Sequence, residues 1–488
     1  MARSIKKNVV AKALLTIVNI VIPVILGPYT ARVLDVELYT MYNKALTLIS
    51  WFLPFALFGI PTFGLREISA AKSNKTKLDK RFSQLFYFNI LTSFVTAVFF
   101  FVVVVLKFNN IVYYLLLFQL ITTFLSVEYV NEAFENFGFI LYKNLFLRIV
   151  YIILILVFVR KSSDIVSFAI ISIGFYIANN IFSYLYVRKY IHLVKCSFIE
   201  VFSQFIPLFP VLLLSNTGML YTNLDCLFLS TVDSGYDITY YIIVRTILIS
   251  IVNVFFSIIQ VSIPRLSKFY ADGEKSAFVA LFEKSSNIFY FFGIPFCITF
   301  SVLGQEIMFL YGGGKYILAG PVMSVFAFRF ILYMLISVAT DAVLFTTRNE
   351  KKLTLIYFLG GLINVVANFL LVISGRLTAV SAIATTMLSE ILVIILQQCV
   401  IKKIDKNLIT LNKAVIKYIF VSICIVYGVV LIFPTPLSFS SIYVHFFYLL
   451  KIIVLCCACY VTILFLMKDV VLLFIFDMIK GKIKRYSK

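Results

Sequence analysis

Apolar residues in this chain come in blocks rather than in alternation. Runs of about 20 residues, dominated by Leu, Ile, Val, Phe, Ala and Tyr, are separated by short lysine-rich stretches, and a run of that length is what an α-helix needs to cross a bilayer. About fourteen such runs can be marked, near 12–33, 40–64, 83–106, 111–133, 144–159, 165–187, 205–229, 238–264, 287–310, 318–345, 353–373, 378–400, 415–433 and 445–467. Their spacing leaves no room for a soluble domain and predicts an all-α polytopic membrane protein. The charged start, MARSIKKNVVAKALL, resembles a secretory signal, but no small-residue cleavage site follows the apolar run. An uncleaved first helix is expected.

Several of these runs carry polar residues at three- and four-residue spacing, which places them on one helical face. The first shows Thr16, Asn19, Pro23, Gly27 and Thr30, and the second shows Asn43, Thr47, Ser50 and Pro54 beside Lys44. The eighth shows the longest stripe: Tyr241, Arg245, Asn253, Ser257 and Gln260, interrupted by Ile249. The seventh, LLLSNTGMLYTNLDCLFLS, contains Asn216, Asn223 and Asp225. Hydrogen bonding between helices accounts for any one stripe as well as a hydrated path does. Four stripes concentrated in runs one, two, seven and eight favour a shared cavity.

The same runs suggest a repeat. An Ile-Pro pair ends both the second and the eighth (Ile60-Pro61 and Ile263-Pro264), each followed by a basic loop and a Phe-rich run. Two six-helix lobes running in the same direction are expected, residues 1–200 and 201–404, with two extra helices and a basic tail in 405–488. Parallel repeats of this kind are a transporter plan.

Composition sharpens the class. The 488 residues are 62% hydrophobic and 13% charged, whereas a soluble domain carries about 25% charged residues; a water-soluble enzyme is excluded. The 43 Lys and Arg against 22 Asp and Glu give a net charge of +21, which in a soluble chain would point to nucleic acid. Position removes that reading. Thirty-two of the 43 cations fall in segments on one side of the predicted spans, Lys143 among them, and five (Lys107, Arg160, Lys161, Lys315, Arg376) on the other. Such a bias orients both termini toward the cytoplasm, beside anionic headgroups.

Six cations remain within the runs: Arg32, Lys44, Arg148, Arg245, Arg329 and Lys451. Ionisable groups in hydrocarbon face a bundle interior or a wet cavity. Arg148 and Lys451 lie close enough to helix ends to snorkel, and Arg32 and Lys44 are evenly balanced between snorkelling and function. Arg245 and Arg329 are too deep for that. The deep acids are Asp225, Asp341 and Glu390.

Metal and redox chemistry find little support. Cys456, Cys457 and Cys459 lie inside an apolar run and read as packing. His192 sits in a basic loop and His445 at the edge of the last run. GGGKY at Gly312 to Tyr316 lacks the strand and the GK[ST] ending of a phosphate-binding loop.

GPYTARVL, followed by YNKALTLISWFLPFALFGIPTFGLREI, and later SIPRLSKFYADGEK and GGGKYILAGPVMSVFAF, resemble the bacterial polysaccharide transporter family. This is the Wzx-type flippase group of the multidrug/oligosaccharidyl-lipid/polysaccharide exporter superfamily. The likeness covers roughly residues 5 to 400. After RVL the chain reads DVELYT where the family has a Gly-rich turn, and Cys226 follows Asp225 where a Lys is common. The resemblance implies a non-enzymatic flippase without cofactor or metal, in the bacterial cytoplasmic membrane. It would carry undecaprenyl-diphosphate-linked repeat units of a capsule, O-antigen or related polysaccharide.

On that reading, Arg245, Arg329, Lys44 and Arg32 hold the diphosphate, and Asn19, Thr47, Asn216, Asn223, Tyr241, Asn253 and Gln260 line the cavity. Asp225, Asp341 and Glu390 bind a coupling ion or pair with the arginines, pairing being favoured. The expected partners are the lipid-linked glycan, membrane lipids and a polysaccharide polymerase or glycosyltransferases, with no nucleic acid. The alternatives are a peptidoglycan-precursor flippase, a drug exporter of the same superfamily, and a membrane-embedded glycan polymerase or ligase. The last would require acids or His grouped in a sizeable outer loop.

Overall fold

The computed structural model describes residues 25–212, 223–232, 235–436 and 441–477. Most of the first predicted span and the middle of the seventh, with Thr16, Asn19 and Asn216, lie outside the described residues. Among the described residues every regular element is helical. Twelve helices among the described residues are long and apolar enough to cross a membrane, and they match one for one the predicted runs other than the first and seventh. The chain divides into two compact units, residues 1–239 and 240–488.

In unit 1, α1 (Val36–Leu57) opens on Asp35, whose carboxylate accepts the backbone N–H groups of Glu37 and Leu38 and so satisfies two of the free donors of the first turn. It ends at Phe58 and Gly59, both left-handed (φ 47° and 74°). A Cβ at residue 59 would also lie 2.9 Å from the Leu212 backbone nitrogen, so two independent constraints require glycine there. The chain restarts as α2 (Ile60–Ala71) with Pro61 in its first turn, where a missing N–H costs nothing.

The rest of unit 1 comprises α3 (Lys75–Phe100), α4 (Ile111–Ile121), α5 (Glu128–Ala133), α6 (Phe137–Phe158), α7 (Ile165–Val187), α8 (Phe198–Phe202) and α9 (Leu224–Thr231). Helix α1 packs on α3 and α4, and α6 on α7. One apolar core gathers Ile49, Phe100, Leu116, Ile155 and Ala169. A second gathers Ile60, Phe82, Val130 and Val187.

Helix α10 (Asp237–Ala271) crosses the unit boundary and runs unbroken for 35 residues with Pro264 inside it. The two Ile-Pro pairs therefore behave differently: the first follows a left-handed Phe-Gly step that ends its helix, whereas the second follows Val261-Ser262 and is absorbed. Unit 2 continues with α11 (Lys275–Val302), α12 (Gly304–Gly312), α13 (Gly320–Ser337), α14 (Glu350–Ile373), α15 (Ala379–Ile404), α16 (Lys413–Ile432) and α17 (Ile442–Leu466). Between α13 and α14 the helix widens to a π-helical stretch, Val338–Phe345. Helix α11 packs on α13 and α16, and α15 on α13 and α14.

One sequence assignment is corrected. Helix α6 starts at Phe137, seven residues before the expected 144, so Lys143 is not a loop cation but a buried one, 5% exposed. Lys143 and Asn144 interrupt the apolar pattern, so the run reads as beginning there, whereas the helix extends back to Phe137.

Candidate functional site

Within unit 1, the polar stripe of α1 turns inward. Asn43 is 2% exposed and donates through Nδ2 to Thr239 Oγ1 at 3.1 Å. Thr239 donates in turn to Thr40 Oγ1 at 2.8 Å, and Thr40 donates to the Val36 carbonyl at 2.7 Å. Thr47 is buried as well. A closed chain of this kind satisfies the buried hydroxyls and amide that would otherwise cost about 1–3 kcal/mol each. Lys44, one residue round from Asn43, is half-buried, and Arg32 is exposed. Asn223 is half-buried just before α9, and Asp225 is buried in the first turn of α9.

Within unit 2, α10 behaves in the opposite way. Tyr241 is buried, its ring edge-on to Phe326 with centroids 5.0 Å apart. Arg245, one turn on, is half-buried, and from there the stripe comes to the surface: Thr246, Asn253, Ser257 and Gln260 are all exposed, with Ile249 among them. The exposed faces of α16 and α17 are different in kind. They present Ile416, Phe420 and Leu431, and Phe447, Leu450 and Val454. Moving an amide from water to hydrocarbon without a partner costs roughly 4–8 kcal/mol, so the apolar faces suit lipid while the Asn253 to Gln260 face suits water.

Arg329 and Glu390 meet in the core of unit 2. Two guanidinium nitrogens donate to one carboxylate oxygen, Nη2 at 2.8 Å and Nε at 3.1 Å, and the side chains are 10% and 0% exposed. Phe326 stacks under the guanidinium, its ring centre 5.1 Å away. Asp341 is half-buried in the π-helical stretch, a backbone form found often at functional sites.

Beside it, Thr340 hydrogen-bonds Tyr357 at 2.7 Å and accepts from Gln397 Nε2 at 2.9 Å. A second set joins α14 to α15: Asn364 donates to Thr386 at 3.1 Å, Asn368 donates to Asn364 Oδ1 at 2.5 Å, and the Thr385 hydroxyl lies 3.0 Å from Asn368 Oδ1. Sequence reasoning missed these residues, although Asn364 and Asn368 at four-residue spacing and the run Thr385, Thr386, Ser389, Glu390 were visible as stripes. It also missed Glu128 and Ser183, which hold Lys143 in unit 1.

An apolar cavity of about 370 Å³ lies between α10, α11, α16 and α17, with Phe255, Phe292, Phe296, Ile425 and Val461 in its wall. Cys456 and Cys457 line it too, and both are free thiols. Among the described residues, no group of three or more His, Cys, Asp or Glu is placed to hold a metal ion.

The fold is similar to that of a solved structure titled "Lipid II flippase MurJ, inward closed conformation", with a TM-score of 0.70 at 15% identity over 95% of this chain and 99% of that one. A "Crystal structure of MATE in the bent conformation" aligns with a TM-score of 0.45 at 13% identity, covering 80% of this chain and 96% of that chain. No curated protein matches the sequence. Residues 5–270 match the family described as "Polysaccharide biosynthesis protein". With more than half of its 488 residues inside that match, the chain belongs to the polysaccharide biosynthesis protein family.

Proposed function

We propose that this protein is a flippase that moves undecaprenyl-diphosphate-linked oligosaccharide repeat units across the bacterial cytoplasmic membrane by alternating access, for capsule, O-antigen or a related exopolysaccharide. The observation that carries the reading is the exposed polar stripe of α10, which begins at Arg245 and continues through Asn253, Ser257 and Gln260. A lipid-linked diphosphate sugar combines an anionic head, a polar glycan and an apolar tail. A guanidinium meets phosphate in fork geometry, and a wet face of amides and hydroxyls replaces the hydration of sugars.

In this reading Arg245 is the principal diphosphate ligand, with Lys44 and Arg32 as further cations. Arg329 joins them only in a state in which Glu390 has released it. Glu390, Asp341 and Asp225 are then the acids for ion coupling or for pairing, and Asn223 contributes polar surface in unit 1, whereas Thr47, expected as a cavity residue, is buried in the packing of α1. The apolar cavity beside α16 and α17 suits part of the lipid tail. On this reading both termini lie in the cytoplasm, which the cation bias of the sequence supports. A polymerase and glycosyltransferases would consume and supply the substrate, and this chain performs no bond chemistry of its own.

The test is reconstitution in proteoliposomes with a labelled undecaprenyl-diphosphate glycan, a peptidoglycan precursor and a cationic dye as parallel substrates. Translocation of the glycan lipid, lost in R245A and partly kept in R245K, supports the reading. Transport of the dye alone, or full activity of R245A, overturns it.

A further inference from the structure

Among the described residues of unit 1, Lys143 is the most enclosed cation, its side chain 2% exposed. Three oxygens surround the ammonium: Glu128 Oε2 at 2.7 Å, Ser183 Oγ at 2.6 Å and the Asn179 backbone carbonyl at 3.4 Å. Ser183 in turn donates to the same Glu128 oxygen. The ring of Phe139, one turn earlier on α6, lies with its centre 5.9 Å from the nitrogen. An ammonium has three N–H donors and no acceptor, so every donor finds an oxygen.

The ligands do not come from the lysine's own helix. Glu128 belongs to α5, and Ser183 and Asn179 to α7, while Lys143 enters from α6. The cage is therefore assembled by elements that meet irrespective of the lysine stem, and it combines one carboxylate, one hydroxyl and one carbonyl. Carboxylates and carbonyls are the oxygen donors that hard cations take. The distances exceed the roughly 2.0–2.6 Å of magnesium and calcium ligands, and match an N–H···O contact.

We propose that Lys143 is a tethered cation: its ammonium fills a monovalent-cation site formed by Glu128, Ser183 and the Asn179 carbonyl, which binds ammonium or methylammonium once the side chain is removed. An ion pair alone would leave a single carboxylate behind, whereas here the carboxylate, the Ser183 hydroxyl and the Asn179 carbonyl all remain when the side chain is removed. The consequence is that unit 1 carries its own cation at this place and draws none from solution there. The inference does not depend on the transported substrate, and its test has no transport readout.

The experiment is thermal unfolding of purified wild type and K143A in detergent, titrated at constant ionic strength with ammonium, methylammonium, sodium and choline chlorides. The expected result is a lowered midpoint in K143A that ammonium and methylammonium raise by several degrees with saturation, as a ligand of the folded state must. Sodium, choline and wild type should give no such response. An equal response to all four salts, or none, overturns the proposal. E128Q/K143A should fold without an ammonium response, and a retained response removes Glu128 from the site. If K143A does not accumulate, its expression and purification with methylammonium chloride or choline chloride decides: recovery of folded protein with methylammonium alone supports the site, and equal recovery or none with both contradicts it.

Discussion

Helices α1 and α10 both carry polar stripes at three- and four-residue spacing, and the structure uses them in opposite ways. On α1, Asn43 and Thr47 are buried, and Asn43 is tied through Thr239 to Thr40. On α10, Asn253, Ser257 and Gln260 are exposed and follow a half-buried Arg245. Three- and four-residue spacing establishes that a helix has a polar face. Whether protein or water satisfies that face depends on what packs there, which spacing does not encode. Only the second kind of stripe is available to a substrate.

The buried side of this comparison is most exposed to mutation at Arg329–Glu390. Replacing either partner alone, R329A or E390A, leaves a buried charge without its counter-ion and should destabilise unit 2 by about 3–5 kcal/mol. Denaturant or thermal unfolding in detergent checks this, and an unchanged midpoint would show that the pair is not structural. The joint replacement R329M/E390M should recover most of the loss.

Next in size is Arg245. Losing a charge-assisted contact to the diphosphate removes about 1.5–3 kcal/mol, a fall of roughly 10- to 150-fold in translocation efficiency, with folding unaffected. If R245A unfolds as E390A does, Arg245 belongs with the buried pairs and the comparison fails. Smaller again is N43A. It removes one interhelical hydrogen bond and leaves Thr239 short of a donor, which should lower stability by about 1 kcal/mol while transport by the surviving folded protein is normal. The smallest effect on stability is expected at α10. N253A and Q260A should stay within about 0.5 kcal/mol of wild type, and their signature is weaker substrate handling.

The span pattern was legible because hydrocarbon thickness imposes a length that any apolar run must meet. Twelve of the fourteen expected runs coincide with spans among the described residues, and their limits differ where a charge sits inside a helix, as at Lys143. Arg329 was rightly placed deep in its span, yet its partner Glu390 is 61 residues away in sequence, and helix-to-helix pairing at that separation leaves no local mark. The Ile-Pro repeat was visible, but its two different outcomes turn on the left-handed Phe58-Gly59 step. Asn364 and Asn368 stand at four-residue spacing like the other stripes, but spacing does not show that Thr385 and Thr386 of the next helix complete their hydrogen bonds.

The most direct test of the central claim is the water accessibility of α10 against that of α1. In a background without the eight native cysteines, single cysteines at positions 253, 257, 260, 43 and 47 would be treated with a charged, membrane-impermeant thiol reagent in oriented vesicles. The account requires rapid labelling at 253, 257 and 260, slowed by an undecaprenyl-diphosphate glycan, and no labelling at 43 and 47. Labelling at 253 and 260 as slow as at 43, with or without the glycan, would contradict it.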